Sequence, residues 1–195
     1  RETMWTDCAA HCVHVDDEEI GHLAEAGASV LHCPASNMKL ASGVAPVQRM
    51  REAGTRVALG TDGPASNNDL DLFDEVRDAA MVGKLADGDA TAVPAETAVE
   101  MATAAGADAL GFDVGRIETG RLADLAVIDL SAPHLVPEHD VVSHLAYAVR
   151  GSDVRHTVCD GRVLMRDREL LAVDEQRVVC EACEHARALV ARAEG

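Results

Sequence analysis

The feature of the sequence that most constrains the fold is an alternation of short apolar runs and helical segments over its first third. The apolar runs DCAAHCV, ASVLHC and RVALGTD are separated by DDEEIGHLAEAG and APVQRMREAG, which have helical composition and end in glycine. Strand, helix, strand, helix, strand in succession predicts parallel strands joined by crossover helices, because parallel neighbours cannot be linked by a tight turn. The predicted fold class is therefore α/β.

Local signals refine the limits of these segments. Asp16 and Glu19 form a capping-box pattern at the start of the first helix, and Gly27 is placed to end it. The polar stretch PASNMKLASG is predicted to be a loop, and Gly54 is placed to end the second helix. Helical periodicity returns in DLDLFDEVRDAAMVGKLA and in PAETAVEMATAAGADALG, where Pro94 suits a first helical turn.

The pattern changes after Phe112. The segments VGRIETGRLADLAVIDL and HLAYAVRGSDVRHTVCDGRVLMRDREL are rich in β-branched residues and punctuated by turns. CDGRVLM places Asp-Gly between two apolar runs, which indicates a hairpin. We predict an α/β part over residues 1–112, a small β domain over 113–173 and a terminal helix over 174–195.

Charge limits the partners of the chain. The formal net charge is −17 at pH 7, and Lys39 and Lys84 are the two lysines. So acidic a surface repels phosphate backbones, and no nucleic-acid partner is expected. A solvated acidic surface accounts for this composition. Adaptation to high salt is a sharper hypothesis, because counterions screen the repulsion between carboxylates.

Composition also limits the environment of the chain. Hydrophobic residues make up 48% of its 195 residues, yet no apolar stretch reaches the roughly 20 residues that span a membrane. We expect a globular protein without a membrane partner. The six cysteines are thinly spread, and we expect reduced thiols in a cytoplasmic protein.

One pair of cysteines invites a metal interpretation. Cys180 and Cys183 lie close to His185 in VVCEACEHA. However, the composition from Asp174 onwards is helical, which puts both cysteines on one face of a helix, and no second ligand pair with zinc-site spacing follows. The pattern favours a helix over a zinc site.

Polar side chains end three consecutive predicted strands. They are His11 and His14 in AHCVH, His32 in LHCPASN and Asp62 in LGTDGPASNN. In parallel α/β folds the functional side chains collect at the carboxyl ends of the strands. Asp62 could ligate a divalent cation and accept a proton from the water that the metal acidifies, while His11 could hydrogen-bond the resulting hydroxide. These residue types favour metal-assisted hydrolysis.

The same stretches carry a resemblance to a known family. AAHCVHVDDEEI, HCPASNMKLASGVAPVQRM and LGTDGPASNNDLDLFDEVRDAAM resemble the amidohydrolase superfamily, in the branch of the 5-methylthioadenosine/S-adenosylhomocysteine deaminases and related chlorohydrolases. The similarity continues through MATAAGADALGF, VGRIETGRLADLAVIDL and SHLAYAVRGSDVRHTVCDGRVL, and so covers nearly the whole chain. It implies the carboxyl-terminal part of a metal-dependent (β/α)8 barrel with part of a small β-sandwich domain.

The resemblance also implies roles for individual residues. Asp62 corresponds to the metal ligand and proton shuttle after the last barrel strand, and His11 to the group that polarises the attacking water or holds the intermediate. The predicted substrate-binding residues are Ser66, Asn67, Asn37 and His32, and Ser36 and Lys39 are expected to shape the same loop. His14 is either a partner of these groups or a structural histidine over the following helix. The implied cofactor is one divalent metal ion, zinc in the first place and iron as the alternative.

The implied reaction is hydrolytic deamination of an adenosine-type purine by the parent enzyme. Guanine, 8-oxoguanine or triazine hydrolysis by the same scaffold stays open, and so does a non-catalytic assembly module, because fold does not determine substrate. The family's early His-x-His pair and its fifth-strand His with a Glu three residues later do not occur before His11. We therefore expect the isolated chain to be inactive, and to form a homo-oligomer or associate with the missing half of the barrel.

Overall fold

A computed structural model describes residues 8–193 of the chain, which divide into two compact units. Within the described part, the first unit comprises residues 8–121 and Leu130–Asp153, and the second comprises Leu122–Asp129 and residues 154–193. The boundaries differ from the predicted division at 112 and 173. The reason is the segment Leu130–Asp153, whose buried Ala146 joins the apolar core of the first unit.

The first unit is built on a three-stranded parallel sheet. Its strands are β1 (Cys8–Ala10), β2 (Ser29–His32) and β3 (Arg56–Leu59), in that spatial order. The register pairs Ala10 with Leu31 and His32 with Leu59, so all three strands end at the same edge. This arrangement confirms the α/β prediction and places the residues that follow the strands side by side.

Seven α-helices accompany this sheet in the described residues of the first unit. They are α1 (Asp17–Glu25), α2 (Pro34–Lys39), α3 (Val47–Glu52), α4 (Leu72–Asp87), α5 (Ala95–Ala102), α6 (Ala104–Leu110) and α7 (Val141–Tyr147). The predicted capping box of α1 is confirmed, because Asp16 accepts from the Glu19 N–H and Glu19 accepts from the Asp16 N–H. Gly27 follows the helix with a φ of 66°, which is the left-handed conformation that glycine adopts readily.

Three predictions of local structure were wrong. The first six residues of the polar stretch predicted as a loop form α2 (Pro34–Lys39), whereas residues 40–43 lie outside it. Pro34 suits the first helical position, and so short a helix shows no apolar periodicity. The single helix predicted after Pro94 is two helices, α5 and α6, separated by Thr103 with φ −123° and ψ −91°. HLAY, predicted in a β segment, lies in α7, where Asp140 caps the helix by accepting from the Ser143 N–H.

The core of the first unit lies between β2 and β3 and the helices that cover them. Val30, Met50, Val57 and Met101 are each at most 1% exposed. Helices α1, α3, α4, α5 and α7, strand β3 and two connecting segments supply the other buried residues of this core: Ile20, Ala45, Val47, Leu59, Val76, Ala79, Ala80, Val93, Ala98 and Ala146. Burial of these side chains is the main stabilising contribution of the sheet–helix layers.

The second unit contains a four-stranded antiparallel sheet and one long helix. The strands are β4 (Leu125–Ile128), β5 (Val154–Cys159), β6 (Arg162–Arg166) and β7 (Glu169–Leu170), in sequential order. Asp160 and Gly161 link β5 to β6 with φ values of 48° and 71°, which confirms the predicted hairpin. Helix α8 (Glu175–Ala193) confirms the predicted terminal helix within the described residues, and Cys180 and Cys183 are exposed on it.

The structure bears on two expectations from the sequence, which concern the state of the cysteines and membrane-spanning helices. All six cysteines lie within residues 8–193 and each is a free thiol. In the same residues, no helix combines the length and the apolar content needed to cross a bilayer.

Two glycines in helices make a matched pair for a stability test. A Cβ at Gly83 of α4 would lie 2.6 Å from Cγ2 of Val93, which is fully buried, whereas a Cβ at Gly21 of α1 would meet nothing within 4 Å. We expect Gly83→Ala to destabilise the protein by about 1–3 kcal/mol through overpacking. Gly21→Ala should stabilise it by about 0.5–1 kcal/mol through helix propensity.

Denaturant unfolding of both variants beside the parent measures these changes. If Gly83→Ala were as stabilising as Gly21→Ala, the close packing of α4 against Val93 would be wrong.

Candidate functional site

His11 and Asp62 follow the first and third strands of the parallel sheet. His11 comes directly after β1, where its N–H donates to the carbonyl of Leu31 at 2.9 Å and so continues the parallel pairing by one residue. Asp62 comes three residues after Leu59, beyond Gly60, whose N–H donates to the carbonyl of His32. The pairing therefore delivers both residues to one edge of the sheet.

Both residues have an unusual backbone conformation. The φ angle is 64° at His11 and 60° at Asp62, in the left-handed region that residues other than glycine rarely occupy. Such strained backbone is concentrated at functional positions, where surrounding contacts hold it in place. Here it turns the chain sharply at the end of each strand, as the next loop begins.

The Asp62 carboxylate is held by two serine hydroxyls. Ser66 donates to Asp62 Oδ2 at 2.6 Å and Ser36 donates to the same oxygen at 2.7 Å. These hydrogen bonds, from Ser66 and then Ser36, lower the pKa of Asp62 to about 2. The group is therefore a carboxylate throughout the neutral range, as a metal ligand must be.

His11 faces this carboxylate through one ring nitrogen and an amide through the other. Its Nδ1 lies 2.9 Å from the side-chain oxygen Oδ1 of Asn37, and its Nε2 lies 3.9 Å from Oδ2 of Asp62. An amide oxygen can only accept, so Nδ1–H donates to Asn37 and the neutral ring carries its lone pair on Nε2. Asn37 thus orients the histidine towards Asp62.

His32 and Asn37 lie beneath the site. They are 1% and 3% exposed, respectively, so neither presents a face to solvent. Burial, assisted by the nearby His11, lowers the pKa of His32 to about 4, which makes its ring neutral at pH 7. Within residues 8–193, His32 Nδ1 and Asn37 Nδ2 are buried atoms without a hydrogen-bond partner. Such atoms are rare in folded proteins, in which most buried polar groups are hydrogen-bonded.

The loop that carries Asp62 connects β3 to α4, and we call its residues 60–71 the Asp62 loop. Ser66 and Asn67 lie in it, half-buried. Ser66 bonds Asp62 as described, whereas the Asn67 amide group donates to Oε1 of Glu75 at 2.5 Å and its Oδ1 accepts from the Leu70 N–H. Ser66 and Asn67, both predicted substrate-binding residues, therefore have internal partners.

Glu75 is a residue that the sequence analysis missed. It lies in α4, is fully buried, and accepts from the Ala35 N–H through Oε2 at 3.2 Å as well as from Asn67. A signal was available in the sequence, because Glu75 lies one helical turn before Ala79, on the face of α4 that carries small and apolar residues. A carboxylate on an apolar stripe is costly unless it is hydrogen-bonded.

Two further candidates lie at the rim. Lys39, at the end of α2, donates through Nζ to the carbonyl of Ala65 at 2.9 Å and to Oδ1 of Asn68, which ties α2 to the Asp62 loop on the exposed side. His14 is exposed beyond β1, close to Gly43. Neither residue contacts His11 or Asp62 in any hydrogen bond of the described residues.

The fit of this site to a divalent metal is partial. Asp62 and His11 are the residue types that ligate zinc, and they face one another across 3.9 Å. In the part of the chain that the structure describes, however, no group of three or more His, Cys, Asp or Glu side chains could hold a metal ion. A catalytic zinc takes about three protein ligands, so the described residues do not make up a complete zinc site by themselves.

Comparison with known proteins gives the same family as the sequence motifs. A family model described as the amidohydrolase family matches residues 4–164, which include both His11 and Asp62. Among curated relatives, a 5-methylthioadenosine/S-adenosylhomocysteine deaminase of Haloarcula marismortui is 72% identical over 184 residues, which are 94% of this chain and 43% of that protein. A protein of the same name from Halobacterium salinarum is 70% identical over 187 residues, 96% of this chain and 43% of its own length.

Solved structures agree with these relatives. An adenosine deaminase from Xanthomonas campestris, solved with bound zinc, superposes with a TM-score of 0.92 at 42% identity, over 94% of this chain and 42% of that one. Atrazine chlorohydrolase from Arthrobacter aurescens, solved with zinc, gives a TM-score of 0.83 at 31% identity, over 91% of this chain and 40% of that one.

The chain thus spans less than half the length of the relatives it matches. The family model nevertheless covers most of the chain and both strand-end residues, and the resemblance inferred from the motifs is confirmed. The chain belongs to the amidohydrolase family.

Proposed function

We propose that the protein to which this chain belongs is a metal-dependent deaminase that hydrolyses the amine of an adenosine-type substrate, 5′-methylthioadenosine or S-adenosylhomocysteine. The observation that carries the proposal is the pair formed by Asp62 and His11 at one sheet edge, 3.9 Å apart. Support comes from the two haloarchaeal relatives with the deaminase name at 72% and 70% identity. We propose zinc as the metal, with iron as the alternative.

In this proposal Asp62 is both ligand and proton acceptor. The divalent ion would supply a water molecule acidified enough to react near neutral pH. Asp62 would help to hold the ion, accept the proton of the attacking water and pass it to the departing amine, which would leave as ammonia. The serine bonds to Oδ2 keep the carboxylate charged and in one orientation between these two steps.

His11 acts on the attacking oxygen from the other side. Because Asn37 accepts from Nδ1–H, the Nε2 lone pair of the neutral ring is available to the hydroxyl of water or of the tetrahedral intermediate. The left-handed backbone at His11 and its N–H bond to Leu31 hold the ring at the strand end. His11 therefore orients the nucleophile while Asp62 moves the proton.

The predicted substrate-binding residues take two kinds of position in this proposal. Ser66 and Asn67, half-buried in the Asp62 loop, line the substrate side. Asn37 and His32 are buried beneath the site. They therefore act on the substrate indirectly, through His11 and by shaping the base of the site. The remaining metal ligands and the acid that protonates the purine ring nitrogen come from a part of the protein outside this chain. The proposed partners are accordingly that part, or a second copy, and a small purine nucleoside.

Replacement of Asp62 tests the proposal. In the protein at its full natural length, Asp62→Ala should lower the rate of ammonia release from S-adenosylhomocysteine and 5′-methylthioadenosine by at least about 10³-fold, because it removes ligand and proton carrier together. Asp87→Asn, which removes an exposed carboxylate at the end of α4, should leave the rate unchanged. Coupled ammonia detection measures both.

Two outcomes would count against the proposal. Normal turnover by the Asp62→Ala protein would remove Asp62 from the mechanism. Ammonia or chloride release by the parent protein from guanine, 8-oxoguanine or a triazine, with no activity on the two nucleosides, would move the protein to another branch of the family.

We also propose that the protein is adapted to high salt. The net charge of −17 and the names of the haloarchaeal relatives support this. Repulsion among surface carboxylates destabilises the folded state, and salt shortens the screening length from about 8 Å at 0.15 M to about 3 Å at 1 M.

The midpoint of thermal unfolding should therefore rise steadily as KCl increases from about 0.15 M to above about 1 M. An uncharged osmolyte at equal osmolality should give a smaller rise, because it does not screen charge. A midpoint that falls with added KCl would contradict adaptation to salt.

A further inference from the structure

Two carboxylates connect the same two segments of the first unit. On one side, Asp62 accepts from the hydroxyls of Ser36 in α2 and Ser66 in the Asp62 loop. On the other side, Glu75 accepts from Ala35 and Asn67, which are the immediate neighbours of those serines. The positions of the serine hydroxyls therefore depend on residues that Glu75 holds.

The chemistry of the Glu75 contacts requires a carboxylate. One donor approaches each oxygen: the Ala35 N–H meets Oε2 and the Asn67 amide group meets Oε1. A glutamine has a single acceptor oxygen and would turn its own donor towards one of these two donors. A glutamate that merely filled space could be replaced by glutamine, or by an apolar residue, without loss of a contact.

Burial of the Glu75 carboxylate costs free energy. Glu75 is fully buried, and within residues 8–193 it forms no ion pair. Burial raises the pKa of Glu75 to about 7, the nearby charges of Asp78 and Asp69 act in the same direction, and the Ala35 and Asn67 donors oppose it. The neighbouring Cys33 is a neutral thiol, since burial raises its pKa to about 11. A buried carboxylate without a cation costs free energy, and here two donors offset part of that cost.

We propose that Glu75 is a positioning residue for the metal ligand Asp62: by holding Ala35 and Asn67, it keeps the hydroxyls of Ser36 and Ser66 on Asp62 Oδ2. This inference rests on the proposed function, because it assigns Asp62 to a metal. Lys39 bridges the same two segments from the exposed side, where solvent competes with its contacts. Glu75 is the buried bridge, and on each path it acts on Asp62 through the residue that it holds and the serine next to that residue.

The test is metal affinity in the protein at its full natural length. Metal-free protein is titrated with Zn²⁺ against a competing chelator, for the parent, Glu75→Gln and Asp78→Asn. We expect Glu75→Gln to weaken Zn²⁺ binding about tenfold, the range seen when partners of metal ligands are removed. Asp78→Asn removes a half-buried carboxylate one turn further along α4 and should change the affinity less than about twofold. Asn67→Ala, which keeps Glu75 and removes one of its donors, provides a second variant if Glu75→Gln does not fold.

A double-mutant cycle separates positioning from general destabilisation. If Glu75 acts through the serines, its effect on Zn²⁺ affinity should shrink to less than about threefold in a Ser36→Ala, Ser66→Ala background. Equal effects in both backgrounds, or Zn²⁺ affinity of Glu75→Gln within twofold of the parent, would overturn the inference.

The same titration distinguishes this inference from the proposed function. A parent protein that binds Zn²⁺ but releases no ammonia from either nucleoside overturns the proposed reaction, and Glu75 is then judged on the Zn²⁺ affinities alone. A parent protein that binds no Zn²⁺ overturns both.

Discussion

Parallel pairing of three short strands is the constraint on which the site depends. The register that matches Ala10 with Leu31 and His32 with Leu59 makes the strands end together, and the chain then leaves each strand at the same edge. A shift of one residue would send each side chain to the opposite face of the sheet. His11 and Asp62 approach one another because this register ends their strands at one edge, where both residues have left-handed backbone.

Two hydrogen-bond-accepting carboxylates hold together the segments that follow the sheet edge. The two segments beyond the sheet edge, α2 and the Asp62 loop, have few apolar residues, so hydrophobic burial alone does not define their relative position. Instead, α2 and the Asp62 loop each offer donors to the carboxylates of Asp62 and Glu75. The two carboxylates differ in environment: hydrogen bonds lower the pKa of Asp62 to about 2, whereas burial raises that of Glu75 to about 7. The same carboxylate chemistry thus gives an exposed, charged side chain in Asp62 and a buried link between two segments in Glu75.

Local sequence signals predicted elements well where the physics is local. The capping box at Asp16, the Asp160–Gly161 hairpin and the long periodicity of α4 each involve residues within a few positions of one another. Prediction failed where contacts with residues far away in the sequence determine the secondary structure. Helix α2 has no apolar stripe and reads as a loop, and α7 is held against the core by Ala146, although its sequence HLAY suits a strand as well as a helix. The break at Thr103 divides a segment whose periodicity continues through it.

The sequence by itself determined the α/β class, the family and the two strand-end residues, because the spacing and type of residues are sufficient to identify them. Only the tertiary structure decided how those residues are held. Ser36 and Ser66 are separated by 30 positions, and nothing local indicates that both hydroxyls reach one oxygen of Asp62. Nor does the sequence show that His32 and Asn37 are buried or that Glu75 links α2 to the Asp62 loop. These contacts arise from packing between segments far apart in the chain, where long-range geometry rather than local propensity determines which donor meets which acceptor.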